Sequence, residues 1–180
     1  PFLVYYPMIL THCPFVPTPH SEDWNPTSVG SPTHKGDKTY FGDIVEYVDH
    51  LVGKIEAELE RHGLLENTYL IFTTDNGPWL HFKHHGGSAG PLREGKGTTF
   101  EGGQRVPCVM WAPGRIPAGT TCDELCGTID LLPTIASLTE APLPKENKID
   151  GLDISNLLAG GTKSPRNEFI YYTSRGDLEG

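Results

Sequence analysis

The sequence has few basic residues, and this shortage excludes one large class of proteins. Lysine and arginine together number 14, against 23 aspartates and glutamates, which gives a net charge of −9. No run of basic residues occurs along the chain. A surface that binds nucleic-acid phosphates needs clustered Lys and Arg side chains. The composition therefore argues against a nucleic-acid-binding protein.

Long apolar runs are also missing. No stretch approaches the roughly 20 apolar residues that a transmembrane helix needs. The start of the chain has no charged segment followed by an apolar one, so no signal segment is predicted. Hydrophobic residues make up 37% of the chain, which is typical of a globular protein. We expect 180 residues to form one domain, or a large part of a bigger one, without a membrane span.

Only four cysteines are present, Cys13, Cys108, Cys122 and Cys126. The C-x3-C spacing of Cys122 and Cys126 allows a local disulfide or half of a metal site. Two ordinary buried thiols are the favoured interpretation. Cysteine usage therefore does not identify the redox compartment.

The first residues are apolar and resemble a core strand that is already under way. Residues 1–8, "PFLVYYPM", are predicted to be a buried strand, and no initiator Met precedes them. A native N-terminus rarely starts inside such a strand. We interpret the sequence as a fragment whose upstream part is missing.

Hydrophobic periodicity predicts two helices. Apolar residues recur at helical spacing from Tyr40 to Arg61, and His62-Gly63 is expected to end that helix. A shorter helix is predicted over residues 128–139, with Asp130 near its start.

Continuous apolar runs predict further strands over residues 69–74, 105–112 and 168–173. Runs without alternation suit strands that are buried on both faces, as in a parallel sheet. Residues 13–36 and 77–104 are predicted to be long loops, which often carry function. This order predicts an α/β fold with a mostly parallel sheet sandwiched between helices.

Polar residues follow the predicted strands, where ligands of open α/β sheets collect. Asp75 and Asn76 come directly after one strand, and Thr11-His12 come after the first. Asp75 and Asn76 offer a carboxylate and an amide oxygen, which are hard donors that suit Ca²⁺ or Mg²⁺. Calcium takes about six to eight oxygens, however, and an Asn-Gly turn is an alternative explanation of the segment Asp75-Asn76-Gly77-Pro78. From the tetrapeptide alone, the turn is favoured.

Lys96 and His12 are two further candidates. Lys96 lies between two glycines, which let the backbone approach a ligand closely, and its ammonium binds an anion as a point charge. The alternative is a solvated loop lysine. His12 can act as a general acid or base, or it is simply a hydrogen-bonded histidine at a strand end.

The order of several blocks along the chain resembles one known family. The blocks are "PFLVYYPMILTHCPF", "NTYLIFTTDNGP", "GPLREGKGTTFEGGQRVPCVMWAPGRIPAG", "TIDLLPTIASL" and "IDGLDISNLL". Together they resemble the type I sulfatases, which belong to the alkaline-phosphatase-like superfamily. The resemblance covers nearly the whole chain and is loosest between residues 14 and 36.

The resemblance implies a role for each candidate residue. Asp75 and Asn76 would supply two ligands of a Ca²⁺ ion. His12 would contact the sulfate ester and protonate the leaving alcohol, and Lys96 would hold a sulfate oxygen, so both are expected to be catalytic and substrate-binding. A divalent cation and an ammonium neutralise the charge that builds on the sulfuryl oxygens.

The implied activity is that of a sulfuric ester hydrolase. Its substrate would be a sulfated sugar, a glycan or an aryl ester. The implied location is a periplasmic, secreted or lysosomal-type compartment.

One departure from the family pattern concerns the nucleophile. The family uses a formylglycine made from Cys or Ser in a C/S-x-P-x-R motif, and none of the four cysteines fits, since Cys13 is followed by "PFVP". We therefore interpret residues 1–180 as the C-terminal part of a sulfatase-like catalytic domain, inactive without its nucleophile-bearing part. The alternatives are a phosphodiesterase or phosphonate hydrolase of the same superfamily, or a non-catalytic sulfatase-like binding protein.

Overall fold

The computed structural model describes residues 2–27, 37–172 and 178–179. The chain divides into two compact units. The first unit consists of Pro1–Leu64 and Trp79–Gly87, and the second consists of Leu65–Pro78 and Ser88–Gly180. Part of the predicted loop over residues 13–36 lies outside the described residues.

The first unit is built on one long helix, α1 (Phe41–Arg61). Its apolar stripe buries Ile44 and Val48, while most of its charged residues are exposed. The helix ends where Gly63 turns the chain with a φ of 66°. The predicted helix between Tyr40 and Arg61 is therefore confirmed.

The strand predicted over residues 1–8 is wrong for the part that the structure describes. Residues 2–9 form no strand, and their side chains are largely exposed, with Tyr5 88% and Ile9 81% exposed. An extended apolar segment becomes a strand only when a neighbouring strand takes up its hydrogen bonds. No strand in the described part of the chain pairs with it.

The second unit contains two small sheets. Strand β1 (Leu70–Thr73) pairs with β2 (Cys108–Trp111). Strand β3 (Tyr171–Tyr172) pairs with β4 (Leu178–Glu179). The strands predicted over residues 69–74 and 105–112 are therefore present, whereas the one over residues 168–173 is reduced to the two residues of β3.

The described strands do not form the mostly parallel sheet that the sequence predicts. Both pairs are antiparallel, with Ile71 opposite Met110 in the first. An apolar run predicts that a segment is extended, but strand direction depends on how the connection returns the chain. Here residues 74–107 bring the chain back beside β1 in the opposite direction. The residues of β1 are only partly buried, which also departs from the prediction.

The longest helix of the second unit is α3 (Leu131–Thr139), which follows a 3₁₀ turn (Thr128–Asp130). This confirms the helix predicted over residues 128–139. Two four-residue helices were not predicted, α2 (Glu101–Gln104) and α4 (Ser155–Leu158). No helix in the described part of the chain combines the length and the apolar character that crossing a membrane requires.

Asp130 organises the second unit from the start of α3. Its buried carboxylate accepts hydrogen bonds from the backbone N–H groups of Gly127 and Leu152, both at 2.8 Å. Arg166 forms an ion pair with it at 2.5 Å. The hydroxyl of Thr134 donates to the backbone carbonyl of Asp130 at 2.6 Å. These contacts join α3 to the chain on both sides of α4.

All four cysteines are free thiols, and Cys122 and Cys126 are exposed. The interpretation of these two residues as buried thiols is therefore wrong. Among the described residues, no group of three or more His, Cys, Asp or Glu side chains is placed to hold a metal ion.

Candidate functional site

The turn that follows β1 carries Asp75 and Asn76. The hydroxyl of Thr74 donates to the backbone carbonyl of Asn76 at 3.2 Å, and the Asn76 amide donates to the carbonyl of Gly77 at 3.1 Å. With its NH₂ group used in this way, the Oδ1 atom of Asn76 is left as an acceptor. Asp75 is exposed, so its carboxylate is open to solvent. The turn therefore presents two oxygen donors from neighbouring residues.

The turn at Asp75 and Asn76 does not form a two-residue hairpin. A two-residue hairpin would return the chain immediately beside β1. Instead Gly77 is buried, and its N–H donates to the carbonyl of Gly103 at 3.0 Å. The strand that pairs with β1 begins only at Cys108. The turn is thus the start of a long, folded connection.

Lys96 belongs to this same connection and lies in the second unit. Its backbone N–H donates to the carbonyl of Pro78 at 2.9 Å, close to the turn that carries Asp75 and Asn76. Its side chain is half-buried, and the preceding Gly95 is buried. The structure therefore brings the Lys96 segment against the chain that leaves the Asp75–Asn76 turn.

His12 lies in the first unit and is exposed. Its Nδ1 atom contacts the backbone carbonyl of Cys13 at 2.7 Å, and its own N–H donates to the carbonyl of Ile9 at 2.9 Å. A carbonyl oxygen only accepts, so Nδ1 is assigned as the protonated nitrogen in this contact. The Nε2 atom is then the one that can take up or release a proton.

An open cavity of about 430 Å³ begins one residue beyond His12, within the first unit. Its lining includes Cys13, Pro14 and the rings of Phe15 and Phe82, which lie 5.8 Å apart. The remaining lining residues are polar or charged, namely Asp37, Lys38 and His85. A cavity with an aromatic wall and a few polar groups is the usual form of a small-molecule site.

Asp37 gives the cavity a fixed negative charge. The N–H and the hydroxyl of Thr39 both donate to its carboxylate at 2.9 Å, and these hydrogen bonds lower the pKa of Asp37. Its own N–H donates to the carbonyl of Phe15 at 2.8 Å, which joins two residues that line the cavity. Lys38 and His85 place positive or titratable groups beside it.

Sequence reasoning missed this cavity. Phe15 and Phe82 come from distant parts of the chain, and only the fold brings their rings together. The only hint in the sequence was the length and composition of the predicted loops. Such loops are often functional, but their length does not identify which residues line a cavity.

Comparison with known proteins identifies the family. The description "Sulfatase" matches residues 1–141. Human arylsulfatase A is 42% identical over 177 residues, which cover 98% of this chain and 32% of the relative. N-acetylgalactosamine-6-sulfatase from Canis lupus familiaris is 39% identical over 178 residues, covering 98% of this chain and 31% of the relative. The chain belongs to the sulfatase family, and it spans about a third of the length of these relatives.

Solved structures agree with this assignment. The sulfatase PsFucS1 from Pseudoalteromonas sp. superimposes with a TM-score of 0.63 at 36% identity, over 73% of this chain and 26% of that one. Ps i-CgsB in complex with k-i-k-neocarrahexaose superimposes with a TM-score of 0.64 at 33% identity, over 73% of this chain and 29% of that one. About three quarters of the chain therefore has the fold of the matching part of known sulfatases.

Proposed function

We propose that the protein containing this sequence hydrolyses sulfate esters. The observation that carries the proposal is the hydrogen bond between Lys96 and Pro78, which sets a half-buried lysine beside the turn of Asp75 and Asn76. Membership of the sulfatase family supports the proposal that these residues serve one site. A phosphoryl- or sulfuryl-transfer site needs positive charge where the non-bridging oxygens lie. Lys96 supplies part of that charge from this chain.

His12 is the proposed proton donor. The Cys13 carbonyl holds Nδ1–H, so a second proton would sit on Nε2. From there it can pass to the oxygen of the leaving alcohol as the S–O bond breaks. An alkoxide leaving group needs that proton far more than a nitrophenolate does. The proposed role therefore depends on the leaving group in a measurable way.

Asp75 and Asn76 are proposed as two ligands of a Ca²⁺ ion. A carboxylate oxygen and the Oδ1 atom of Asn76 are both hard donors, which fits calcium. The ion would supply further positive charge beside the sulfuryl oxygens. Two ligands fall short of the about six to eight that calcium takes, so we expect weak binding to residues 1–180 alone. The formylglycine nucleophile of the family likewise has no counterpart among the four cysteines.

The proposed substrate is a sulfated sugar or glycan, with aryl esters as simpler analogues. One solved relative is in complex with a carrageenan-type hexaose. The cavity next to His12 in the chain is lined by the aromatic side chains of Phe15 and Phe82, and by Asp37 as an acceptor for hydroxyls. We also propose a periplasmic, secreted or lysosomal-type location. Fractionation of cells that express the full-length protein would test it.

Substitution of Lys96 and His12 in a full-length protein tests the activity. We expect Lys96→Ala to lower kcat/KM by about 100- to 1000-fold, as for other lost charge contacts in a transition state. Lys96→Arg should restore little, because a planar guanidinium does not replace a compact ammonium. His12→Ala should slow alkyl sulfates more than nitrophenyl sulfate.

Matched surface residues provide the controls. Lys148, whose side chain is 91% exposed, should tolerate alanine without loss of activity, and so should His62 at the end of α1. Activity equal to wild type in Lys96→Ala would refute the proposed role of this lysine. Equal losses on both substrates in His12→Ala would reduce His12 to a binding residue.

The metal ligands are tested by calcium titration of the full-length protein. Asp75→Ala and Asn76→Ala should each raise the calcium concentration needed for half-maximal activity, because each removes an oxygen donor. Asp49→Ala, an exposed residue of α1, is the control. An unchanged calcium requirement in both variants would exclude Asp75 and Asn76 as ligands. Tight calcium binding to residues 1–180 in calorimetry would contradict the expected incomplete site.

A further inference from the structure

Two buried glycines lie at the contact between the Asp75–Asn76 turn and the Lys96 segment. A Cβ atom on Gly77 would lie 1.8 Å from the carbonyl oxygen of Gly102. A Cβ atom on Gly102 would lie 2.0 Å from the carbonyl oxygen of Glu94 and 2.5 Å from that of Arg93. Both distances are far below any real contact, and the neighbours are backbone rather than movable side chains. Three stretches of main chain therefore touch directly here.

Backbone hydrogen bonds hold the same three stretches together. Gly77 donates to Gly103 at 3.0 Å, Gly102 donates to Arg93 at 2.8 Å, and Lys96 donates to Pro78. We call this arrangement the glycine clamp, and define it by Gly77, Gly102 and these three hydrogen bonds. Main-chain hydrogen bonds thus connect each stretch to the other two.

One side chain extends the clamp to the far side of Lys96. The amide of Gln104 donates to the carbonyl of Thr98 at 2.7 Å. The hydroxyl of Thr98 donates in turn to the carbonyl of Gly95 at 2.8 Å. Lys96 thus lies in a short loop that is held from one side by the clamp and from the other by Gln104.

We propose that Gly102 and Gln104 are positioning residues that fix Lys96 relative to Asp75 and Asn76. Neither residue needs to touch a substrate. The importance of the fixed position for catalysis rests on the proposed sulfatase function, since a misplacement of about 1 Å at a charged contact can cost about 100-fold in rate. The position itself is a property of this chain and can be measured without any activity.

Amide hydrogen exchange of the full-length protein measures the clamp directly. We expect the N–H groups of Lys96, Gly77 and Gly102 to be protected in the wild-type chain. Gln104→Ala removes one hydrogen bond without a clash and should speed exchange at Lys96 about tenfold or less. Gly102→Ala forces the carbonyl of Glu94 away and should abolish protection at all three amides.

Gly53 of α1 is the matched glycine control, because a Cβ atom there meets nothing within 4 Å. Gly53→Ala should leave exchange in the clamp unchanged. Unaltered protection of Lys96 in both Gln104→Ala and Gly102→Ala would overturn the proposal. So would a loss spread equally over α1 and α3, because that would indicate general unfolding.

Kinetics of the full-length protein separate positioning from stability. Gln104→Ala should lower kcat more than it raises KM, and it should have little further effect in a Lys96→Ala background. Additive losses in the double variant would refute an action through Lys96. If Lys96→Ala itself retains activity, the proposed function of Lys96 fails, whereas the exchange experiment still decides whether the clamp holds it.

Discussion

The burial of the ion pair between Asp130 and Arg166 predicts how much stability is lost when one partner is removed. The Asp130 side chain is 0% exposed and that of Arg166 is 11% exposed. The carboxylate accepts from Arg166 Nε at 3.0 Å and Nη2 at 2.5 Å, and from two backbone N–H groups at 2.8 Å. All of its strong acceptor positions are therefore in use.

Arg166→Ala should destabilise the fold strongly at neutral pH. Removing one partner of a buried ion pair leaves an uncompensated charge, which typically costs about 3–5 kcal/mol. The two backbone N–H groups from Gly127 and Leu152 would still solvate the carboxylate. We therefore expect the lower end of that range, about 3 kcal/mol.

The penalty should shrink in acid. Burial alone raises the pKa of Asp130, but the hydrogen bonds from Arg166, Leu152 and Gly127 outweigh it, so the pKa in the folded protein lies below the usual value. The carboxylate therefore stabilises the wild-type fold above the unfolded-state pKa, and this contribution is lost as the pH falls through the folded-state pKa. Without Arg166, burial opposes the charged form more strongly, so acid should relieve part of the cost of the buried charge.

Urea unfolding at pH 7 and pH 4 measures the effect. The control is Arg61→Ala, which breaks an ion pair of similar length, 2.6 Å to Glu58, between side chains that are 64% and 61% exposed. Exposed pairs contribute about 0–1 kcal/mol. An Arg166→Ala penalty no larger than that of Arg61→Ala would refute the argument from burial. A large penalty that is equal at both pH values would refute the assignment to the Asp130 charge.

Two further predictions concern stability. Gly63→Ala should lower the free energy of unfolding by about 1–2 kcal/mol, because Gly63 has a φ of 66°. Gly53→Ala, in the middle of α1, should raise it by about 0.5–1 kcal/mol. Urea unfolding that ranks the two variants in the opposite order would contradict this prediction. Phe15→Ala should lower the free energy of unfolding by about 3–5 kcal/mol, since Phe15 is 8% exposed and its ring packs 5.4 Å from that of Phe41. A midpoint of urea unfolding close to that of the wild type would show that Phe15 is not well packed.

Local patterns in the sequence predicted the two longer helices, α1 and α3, but not the four-residue helices α2 and α4. The apolar residues of α1, such as Ile44 and Val48, recur with the period of the helix itself. The end of α1 depends on Gly63, which is also a local signal. Because these signals act within a few residues, they can be read without knowledge of the fold.

Strand pairing could not be predicted in the same way. Residues 69–74 were correctly expected to be extended, but their antiparallel partner is set by the path of residues 74–107. The apolar residues 2–9 show the converse, because their composition favours a strand but no described strand accepts them. Pairing depends on contacts between distant segments, and periodicity carries no information about them.

The candidate site likewise has features that local sequence signals predict and features that depend on contacts between distant segments. The sequence placed Asp75 and Asn76 at the end of a strand, and the resemblance to sulfatases supplied the roles of these residues, His12 and Lys96. The contact of Gly77 with Gly102 was not predictable, because a glycine gives no sign of which backbone it will meet. Nor did the letters "IDLL" indicate that Asp130 would be buried against Arg166.

The supporting residues differ from the proposed functional ones in burial, and the difference has a consequence for mutations. Asp75 is exposed and Lys96 is half-buried, whereas Gly77 and Gly102 are buried. Groups that meet a ligand must reach solvent, but the contacts that fix their position must exclude it, since a backbone hydrogen bond that competes with water contributes little. Substitutions at the buried glycines should therefore impair the site without contact to a ligand. A survey of activity loss restricted to residues near a substrate would miss them.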